Sequence, residues 1–595
     1  MSLAKILIDD GVKTHRYNPL SFKMAYNGAK KPDTLSFSLP MNNIVAKGNT
    51  VCVLHDIVNV DFLAGLYNFH LTCKDESGYG HDPTSDPDET RFESSVGKWD
   101  GHFNLNFPDD SSNPITYTSP SNINLSKQFD IFIWFRPALD PFTLVASPPT
   151  TTTKVILWSY TDGTNGLEIG MSGTATGSGN DTNARGFVRI HDGVGTQTIT
   201  GTTEKILPKE FIQSPTLIRV FRGDDNVIRM EVQGVEDGTY STSASLQPTG
   251  ATMRFGDSLG GSEYYQGDLN QVRIYRGNIL DSLDAEKIRM SKPIVHVLKF
   301  KGVAWKIDDN ETKKTVHCNS TSIQVLKSKL GQTGGALTTH DLSSVAFKTI
   351  FQSIIDNATP AGVNFTVKIA PGDTFARASL AGLIYEQGQT VEVMKILNIL
   401  SGTVFYITPL DIVVIEDDNG LGTSYTFSQN TGAVKYNITS NASNNTKINN
   451  EVVFTGRGGI KGYGYVAPSD GTNRTLRKNV FQLDNATDLG KYADDVALIL
   501  AANANLAPTR YNIKTSAYIH HVRYNHDVDV FRYNGSTDQR NNFADNINSN
   551  EIVKSIEYSY PQAQTTIMVG DNSVDQYDDL VRSNESQEGL IDTTI

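Results

Sequence analysis

Three histidines in the last fifth of the chain are of the residue type that binds transition metals. His520 and His521 are adjacent, and His526 follows shortly after them. Successive side chains of a strand point to opposite faces, so the adjacent pair could not share one metal ion there. We therefore expect surface histidines at these positions, with a metal site as the alternative.

Residue patterns for several common kinds of catalysis are missing from the sequence. The glycine-rich stretch 456–464 lacks the Lys-Ser/Thr of a phosphate-binding loop, and there is no Gly-x-Ser-x-Gly elbow. Glycoside hydrolysis needs two carboxylates that face each other, and the Glu-x-Asp-x-x-Glu run of many such enzymes is absent. The strand acids Glu168 and Glu231 are each isolated in the sequence. We therefore expect that the protein is not an enzyme.

Four aromatic side chains between residues 61 and 290 are suited to carbohydrate binding. Tyr79, His81, Tyr264 and Tyr265 fall in stretches that predict loops. Aromatic rings can stack on sugar rings, while Asp, Asn and backbone groups hold sugar hydroxyls. We expect these four residues to contribute to a glycan-binding surface, with ordinary packing in the core or at its rim as the alternative.

Composition and charge limit the classes of partner. A chain of 595 residues implies roughly three to five domains. Its net charge of −13 repels a phosphate backbone, so general nucleic-acid binding is not expected. Cys52, Cys73 and Cys318 are far apart and form no CxxC pair, which predicts neither a zinc site nor a disulfide framework. No run of about eighteen apolar residues occurs, and acids near the N-terminus replace the apolar core of a signal peptide, so we expect no membrane span and no signal-peptide export.

The elements that must position these residues are mainly β-strands. Residues 35–39, 51–54 and 295–302 alternate or cluster apolar residues as strands do. Between about 61 and 290, Gly, Asp, Asn, Ser and Thr become dense and turn signals recur every 8–12 residues, which is typical of an antiparallel β-sandwich. We predict that this sandwich is a domain inserted between two halves of an older β scaffold.

The remainder of the chain predicts helices among strands. Helices are expected at about 345–355, 390–402 and 489–506, with a strand–turn–strand at 404–415 after the second. Later strands are predicted at about 451–456, 510–519, 528–533, 552–559 and 565–569. The predicted domains are 1–60 joined with 291–330 as a discontinuous β-barrel, 61–290 as the inserted sandwich, 331–450 as a small α/β domain, 451–570 as a second β domain with one helix, and 571–595 as an acidic, mobile tail.

The inserted segment resembles the laminin-G-like, or concanavalin A-like, jelly-roll family at four places in the right order. Leu66-Tyr-Asn-Phe69 and the turn Asp75-Glu-Ser-Gly-Tyr-Gly-His-Asp82 are similar to its opening strand and turn. Residues 97–107 and 129–137 are similar to its next segment and its core strand. Residues 267–275 followed by 280–286 are similar to its closing strand and helix. The family's usual Trp is missing from the looser match at 215–223. The resemblance implies an antiparallel jelly-roll.

The same resemblance implies a structural calcium ion. In this family an Asp of the opening turn and a residue near the closing strand can share Ca²⁺, and the matching positions here are Asp75 and Asp268. The alternative is that both side chains accept hydrogen bonds within turns of their own.

The flanking segments resemble tail-tip or baseplate-hub proteins of tailed phages. The similar stretches are 21–39, Gly48-Asn-Thr-Val-Cys-Val53, 389–402 and the terminal hairpin 552–570. The resemblance implies a structural virion protein, made in the host cytoplasm and located in the viral tail. It further implies a homotrimeric ring that joins the tail tube to distal tail, tip and fibre proteins, with DNA passing through without specific binding. The jelly-roll would then touch host-surface glycans. A lectin-like surface adhesin is the alternative, and a glycoside hydrolase is less favoured.

Overall fold

The structure is a computed structural model. It describes residues 4–27, 32–55, 60–94, 102–108, 114–120, 122–138, 152–174, 184–202, 206–207, 209, 214–277, 279–290, 298–326, 329–330, 332–333, 336–337, 340–341, 347–358, 364–370, 384–385, 388–389, 394, 397–398, 401–417, 421–428, 436–442, 451–456, 461–466, 478–483, 486–488, 494, 497–498, 501, 509–519, 522–532 and 547–570. His520, His521 and the acidic tail 571–595 lie outside these residues, so the predictions made for them stay predictions.

Strands dominate the chain, which confirms the predicted mainly β, multidomain fold class. The strands up to the end of the sandwich are β1 (Ala4–Asp9), β2 (Thr14–Tyr17), β3 (Ser21–Tyr26), β4 (Thr34–Pro40), β5 (Thr50–His55), β6 (Leu63–Tyr67), β7 (Phe92–Ser94), β8 (Phe103–Phe107), β9 (Ile115–Thr118), β10 (Phe129–Pro137), β11 (Thr152–Thr161), β12 (Asn165–Thr174), β13 (Arg185–Asp192), β14 (Thr196–Thr200), β15 (Thr216–Arg222), β16 (Val227–Val232), β17 (Val235–Ser241), β18 (Thr252–Phe255) and β19 (Gly267–Arg276).

The second half of the chain adds further strands and short helices. The strands are β20 (Leu298–Asp309), β21 (Lys313–Ser320), β22 (Lys329–Leu330), β23 (Gln332–Thr333), β24 (Ala336–Leu337), β25 (His340–Asp341), β26 (Thr366–Ile369), β27 (Ile384–Tyr385), β28 (Gly388–Gln389), β29 (Thr403–Ile407), β30 (Ile412–Asp417), β31 (Leu421–Ser428), β32 (Tyr436–Ala442), β33 (Glu451–Gly456), β34 (Lys461–Tyr465), β35 (Lys478–Leu483), β36 (Ala486–Asp488), β37 (Thr509–Thr515), β38 (His526–Arg532), β39 (Ile547–Tyr560) and β40 (Gln564–Gly570). The helices are α1 (Ser282–Met290), α2 (Ile323–Leu326) and α3 (Phe347–Ala358), and 3₁₀ turns cover Val60–Phe62 and Glu89–Arg91. Among the described residues, no helix is both long and apolar enough to span a bilayer.

The chain divides into two compact units. The first comprises Met1–Leu7 and Cys52–Lys299, and the second comprises Ile8–Val51 and Phe300–Ile595. The finer domain limits predicted from the sequence stay predictions.

The first unit contains two antiparallel sheets that form the sandwich. The larger sheet has the order β17-β16-β15-β10-β19-β8-β7, with β6 also beside β19, and the smaller has the order β14-β13-β12-β11-β18-β9. Tyr67 of the larger sheet packs edge to face on Tyr117 and Phe255 of the smaller one, with 5.1 Å between ring centroids in both pairs. Such pairs add about 0.5–1.5 kcal/mol each beyond the apolar area that they bury. These rings therefore join the two sheets in one core.

The second unit contains strands from both sides of the sandwich in one sheet. Strand β4 pairs antiparallel with β21, with Phe37 opposite Val316, and β3 pairs with β39, with Met24 opposite Tyr558. The side chains of these four residues alternate with more exposed neighbours and are themselves buried. The segments before and after the sandwich are thus hydrogen-bonded neighbours.

The barrel expected in this scaffold is wrong for the described part of the chain. The hydrogen-bonded path of the thirteen-stranded sheet ends at β2 on one side and at β32 on the other. A barrel requires the first and last strands to pair, which removes both edges. Among the described residues β2 and β32 do not pair with each other, so the sheet is open.

The predicted small α/β segment follows its sequence pattern closely. Helix α3 buries Ile350, Ile354 and Ile355 and ends before Pro360, which cannot continue a helix. Strand β30 pairs parallel with β26 and antiparallel with β29, which confirms the predicted strand–turn–strand. The described residues within the two other predicted helices, 394, 397–398 and 401, and 494, 497–498 and 501, are helical.

Candidate carbohydrate-binding sites of the sandwich

Tyr79 and His81 lie together on the loop that follows β6. Their rings are nearly parallel, at 15°, with 6.1 Å between centroids. The guanidinium of Arg276, at the end of β19, lies 5.3 Å from the Tyr79 ring centroid, and its Nη2 donates to the Tyr79 hydroxyl at 3.3 Å. Tyr79 is half-buried, whereas the His81 side chain is only 9% exposed and both of its ring nitrogens are buried. Two of the four predicted glycan-binding residues therefore meet, and a cation completes the group, which we name the loop cluster (Tyr79, His81 and Arg276).

The turn that presents the loop cluster is held by a buried carboxylate. Asp75 accepts hydrogen bonds from the backbone nitrogens of Leu66 at 3.0 Å and Ser77 at 2.9 Å, and from the Ser77 hydroxyl at 2.6 Å. Gly78 has a φ of 84°, and a Cβ there would lie 2.5 Å from Cδ1 of Leu7. A residue other than glycine would be strained by its backbone and would meet a neighbouring side chain. The local sequence thus fixes where Tyr79 and His81 stand.

Burial sets the protonation of this turn. Removal from water raises the pKa of Asp75 to about 6, although hydrogen bonds from Ser77 oppose the shift. Burial, with the nearby charge of Arg276, lowers the pKa of His81. Nδ1 of His81 lies 3.5 Å from Oδ2 of Asp75. At neutral pH we therefore expect an ionised Asp75 beside a neutral His81.

The two residues predicted to share calcium are not brought together. Asp75 binds Leu66, which lies opposite Arg273 on β19, five positions from Asp268; that offset corresponds to about 17 Å along a strand. Asp268 is buried and paired with Arg136 Nη2 at 2.5 Å. Its second partner is Lys209 Nζ, at 3.4 Å. Across the described residues, no group of three or more His, Cys, Asp or Glu side chains is arranged to hold a metal ion. The hydrogen bonds of Asp75 match the alternative of a self-contained turn, and calcium binding stays a prediction.

The other two predicted glycan-binding residues take different positions. Tyr265 is fully buried, and its hydroxyl donates to the Asp268 carbonyl oxygen at 3.0 Å. Its ring packs against Phe107 and Phe135, so the expectation of a sugar contact at Tyr265 is corrected to a core position. Tyr264, its neighbour, is half-buried and donates to the Gly261 carbonyl oxygen. Two adjacent residues at the end of a loop face opposite ways, and only one remains near solvent.

A polar network that sequence reasoning missed lies on the smaller sheet. Glu168 of β12 is opposite Arg189 of β13, and Arg189 Nη1 donates to Glu168 Oε2 at 2.5 Å. The same guanidinium binds both carboxylate oxygens of Glu263, at 2.7 and 2.6 Å. His191 Nε2 lies 3.4 Å from Glu168 Oε2. We name this group the sheet network (Glu168, Arg189, His191 and Glu263).

The two strand acids that are isolated in the sequence, Glu168 and Glu231, each have an arginine partner in the structure. Glu168 and Glu263 share one guanidinium, and Glu231 lies 3.3 Å from Arg219. Burial alone would raise the pKa of Glu168, but hydrogen bonds, led by the one from His191 and joined by the charge of Arg189, lower it to about 2. A carboxylate that stays ionised cannot donate a proton, so Glu168 does not supply the general acid that glycoside hydrolysis needs.

His526 is the described member of the predicted histidine group. Its side chain is buried rather than at the surface, and its ring lies 6.0 Å from that of Tyr425. Its Nδ1 lies 3.3 Å from the Arg523 backbone nitrogen. The expectation of a surface histidine is wrong at this position, because β38 lies between β31 and β39 in the sheet.

Comparisons with known proteins were made by sequence and by structure. No protein-family model matches the chain, and no curated protein matches it. The chain is similar to the tail protein from Neisseria meningitidis MC58, with 11% identity and a TM-score of 0.33 over 47% of this chain and 82% of that one. It is similar to the prophage tail protein gp18 from Listeria monocytogenes EGD-e, with 10% identity and a TM-score of 0.29 over 48% and 81%. It is also similar to the ligand binding domain of Botulinum neurotoxin serotype D in complex with N-acetylneuraminic acid, with 9% identity and a TM-score of 0.28 over 39% and 51%. At these identities and TM-scores the likenesses carry no argument about function.

Proposed function

We propose that the chain is a structural protein of a viral tail, a trimeric hub at the tail tip whose inserted sandwich binds host-surface glycans. The observation that carries the proposal is the pairing of β4, which precedes the sandwich in the chain, with β21, which follows it. Because of this pairing, the strands of the scaffold sheet are neighbours without any contribution from the sandwich. This is expected of an assembly protein that carries an accessory binding domain. The flanking segments resemble phage tail-tip or baseplate-hub proteins, and this resemblance supports a tail hub as the kind of scaffold.

The loop cluster supports the glycan-binding part of the proposal. The half-buried Tyr79 offers an aromatic ring, and the Arg276 guanidinium places nitrogen donors beside it. Aromatic side chains with a few fixed polar groups are what small-ligand sites use for affinity and orientation. The turn that carries them is held by buried hydrogen bonds to Asp75, so the arrangement is formed before a ligand arrives.

Two measurements test the two parts separately. Native mass spectrometry of the full chain over a range of concentrations reports the assembly state, and three times 65.2 kDa is expected. A strictly monomeric particle at every concentration, with and without the neighbouring tail proteins, argues against the hub. A glycan array probed with the full chain reports the binding function, and at least one of the bound glycans should be bound at least tenfold more weakly by Tyr79→Ala.

The matched control for the glycan test is Tyr240→Ala. Tyr240 is also a half-buried tyrosine of the sandwich, and its hydroxyl donates to Asp192 at 3.2 Å. It lies on β17, at the edge of the larger sheet. Equal loss of glycan binding in both variants would contradict a site at the loop cluster.

A further inference from the structure

The sheet network stands on the outer face of the smaller sheet. In β12 and β13 the side chains of Leu167 and Ile190 are buried in the core, and alternation along each strand sends Glu168 and Arg189 to the opposite face. Beside them, at the edge of the sheet, Thr196, Thr198 and Thr200 of β14 are exposed. The network therefore lies next to a solvent-facing strip of hydroxyl groups.

The network is rigid and still reaches solvent. Glu168 is held by the Leu259 backbone nitrogen at 3.0 Å and the Ser159 hydroxyl at 3.3 Å, besides Arg189. The side chains of Arg189 and Glu263 are 17% and 20% exposed, so one charged edge of the network faces water. A fixed guanidinium beside a fixed carboxylate presents donors and acceptors in known directions without reorganisation.

The loop that supplies Glu263 does not depend on this ion pair for its anchorage. Arg254 Nη1 donates to the carbonyl oxygens of Ser258 at 3.1 Å and Leu259 at 3.0 Å. The Ile156 backbone nitrogen donates to the Glu263 carbonyl oxygen at 3.0 Å. Because these contacts already hold the loop, the ion pair of Glu263 with Arg189 is not required to anchor it.

We infer that the sheet network is a binding site for a neutral pyranoside, which deepens the proposed glycan function and rests on it. Neighbouring hydroxyls of the sugar donate to Glu263 and accept from Arg189, and the threonine strip of β14 lies beside the ring. Both carboxylates of the network bind its one guanidinium, so the network offers no unpaired cation to an acidic sugar such as a sialic acid. The loop cluster, with Arg276, lacks this restriction.

The test uses the full chain and glycans of defined charge. A glycan array with neutral and sialylated members is probed first, and the affinity for a neutral hit, as its methyl glycoside, is then measured by isothermal titration calorimetry. Glu263→Gln keeps the size of the side chain and removes its charge, and its affinity should fall at least tenfold. Glu236→Gln is the matched control, since Glu236 is a glutamate of the same domain paired with an arginine, Arg229, at 3.6 Å. Its affinity should stay within twofold of the unchanged chain.

The outcomes separate this inference from the proposed function. Neutral-sugar binding that is lost in Glu263→Gln and kept in Tyr79→Ala supports the sheet network as a site of its own. Binding lost in Tyr79→Ala and kept in Glu263→Gln overturns the inference and leaves the loop cluster as the glycan site. Binding of sialylated glycans alone also overturns the inference. Loss of thermal stability in Glu263→Gln, with binding unchanged at a temperature where both proteins are folded, shows an ion pair with a structural role only. An array without any binding overturns both the proposed glycan binding and the inference about the sheet network.

Discussion

Nη1 and Nη2 of Arg189 each donate a hydrogen bond to one carboxylate oxygen of Glu263, at 2.7 and 2.6 Å. The two residues are 74 positions apart in the chain. Paired bonds of this kind fix the planes of both groups, which a single bond does not. The pair therefore sets the orientation of a guanidinium that also binds the more deeply buried Glu168.

Removing the cation should destabilise the sandwich through Glu168. In Arg189→Met this carboxylate, 3% exposed, loses its charge partner, and breaking such a pair costs about 3 kcal/mol. Urea denaturation, read by hydrogen exchange of sandwich peptides, measures the loss. The double variant Arg189→Met/Glu168→Gln should recover most of it, because no buried charge is then left alone. An equal loss in the single and double variants would contradict this account.

Low pH should remove the contribution of Glu168 to the stability of the fold. Its pKa in the folded protein is about 2, below its ordinary value of 4.5, so its stabilisation is present above pH 4.5 and is lost as the pH falls through 2. The unchanged chain should lose stability more steeply than Glu168→Gln across this range. The difference between them should total about 3 kcal/mol, and parallel pH profiles would contradict the assignment.

The stability that Asp33 contributes should depend on pH with the opposite sign. Burial raises the pKa of its carboxyl to about 7, although a hydrogen bond from the Asn27 backbone nitrogen at 2.7 Å opposes the shift. Stability from the protonated form is therefore complete below pH 3.8 and is lost as the pH rises through 7. Asp33→Asn should be more stable than the unchanged chain at pH 8, by on the order of 4 kcal/mol, and equal to it near pH 3.5.

A half-buried aspartate, Asp10, provides the control for Asp33. The Asp10 carboxylate accepts hydrogen bonds from the backbone nitrogens of Lys13 and Val12 and from the His15 ring, and its pKa is lowered to about 2. Asp10→Asn should therefore not gain stability at pH 8. Melting temperatures at pH 4, 6 and 8 compare the two variants, and a similar gain in both would point to a general effect of net charge.

The aromatic contacts between the sheets should dominate the stability of the sandwich. Phe255 is fully buried, with ring centroids of Tyr67 and Tyr117 at 5.1 and 5.3 Å. Phe255→Ala should cost about 3–5 kcal/mol in unfolding free energy, measured by urea denaturation. Val194→Ala removes an apolar side chain that is 96% exposed and should change stability by less than about 0.5 kcal/mol. Similar losses of stability in Phe255→Ala and Val194→Ala would contradict the assignment of Phe255 to the core.

Gly78 should be needed for the loop cluster. Gly78 and Gly80 both have positive φ, at 84° and 72°, but only a Cβ at Gly78 would lie within 4 Å of a neighbour, at 2.5 Å from Leu7. Alanine at either position costs about 1–2 kcal/mol from the left-handed backbone alone. Gly78→Ala should lose more than Gly80→Ala and should bind glycans more weakly. Equal effects of the two changes, in melting temperature and in binding, would remove the role assigned to the contact with Leu7.

Local patterns in the sequence predicted the elements, because each depends on neighbours along the chain. Helix α3 and the strand–turn–strand of β29 and β30 follow from apolar spacing and from Pro360, and the Asp75 turn follows from its own glycines and serine. The open edges of the scaffold sheet were not predictable in this way. Whether β2 and β32 pair is decided by all the strands between them.

In the candidate sites too, arrangements set by neighbours along the chain were predictable, and arrangements set by the folded sheet were not. Tyr79 and His81 meet because they are two residues apart in one turn. Tyr265 was misplaced because a shift of one residue along an extended chain exchanges surface for core. The sheet network was missed because its members come from β12, β13 and a loop, and only the register of the folded sheet sets Glu168 opposite Arg189. Alternating charged residues in β13 were the one available signal.

The pairing of β4 with β21 also has a consequence for synthesis. About 270 residues separate the two strands, and a ribosome adds roughly 5–20 residues per second, so β4 emerges about 14–55 s before its neighbour. The sandwich has time to fold during that wait, whereas one edge of β4 stays without its native neighbour. Strand β3 waits longer still, since its neighbour β39 covers Ile547–Tyr560. The scaffold sheet is thus completed only after β39 has been synthesised.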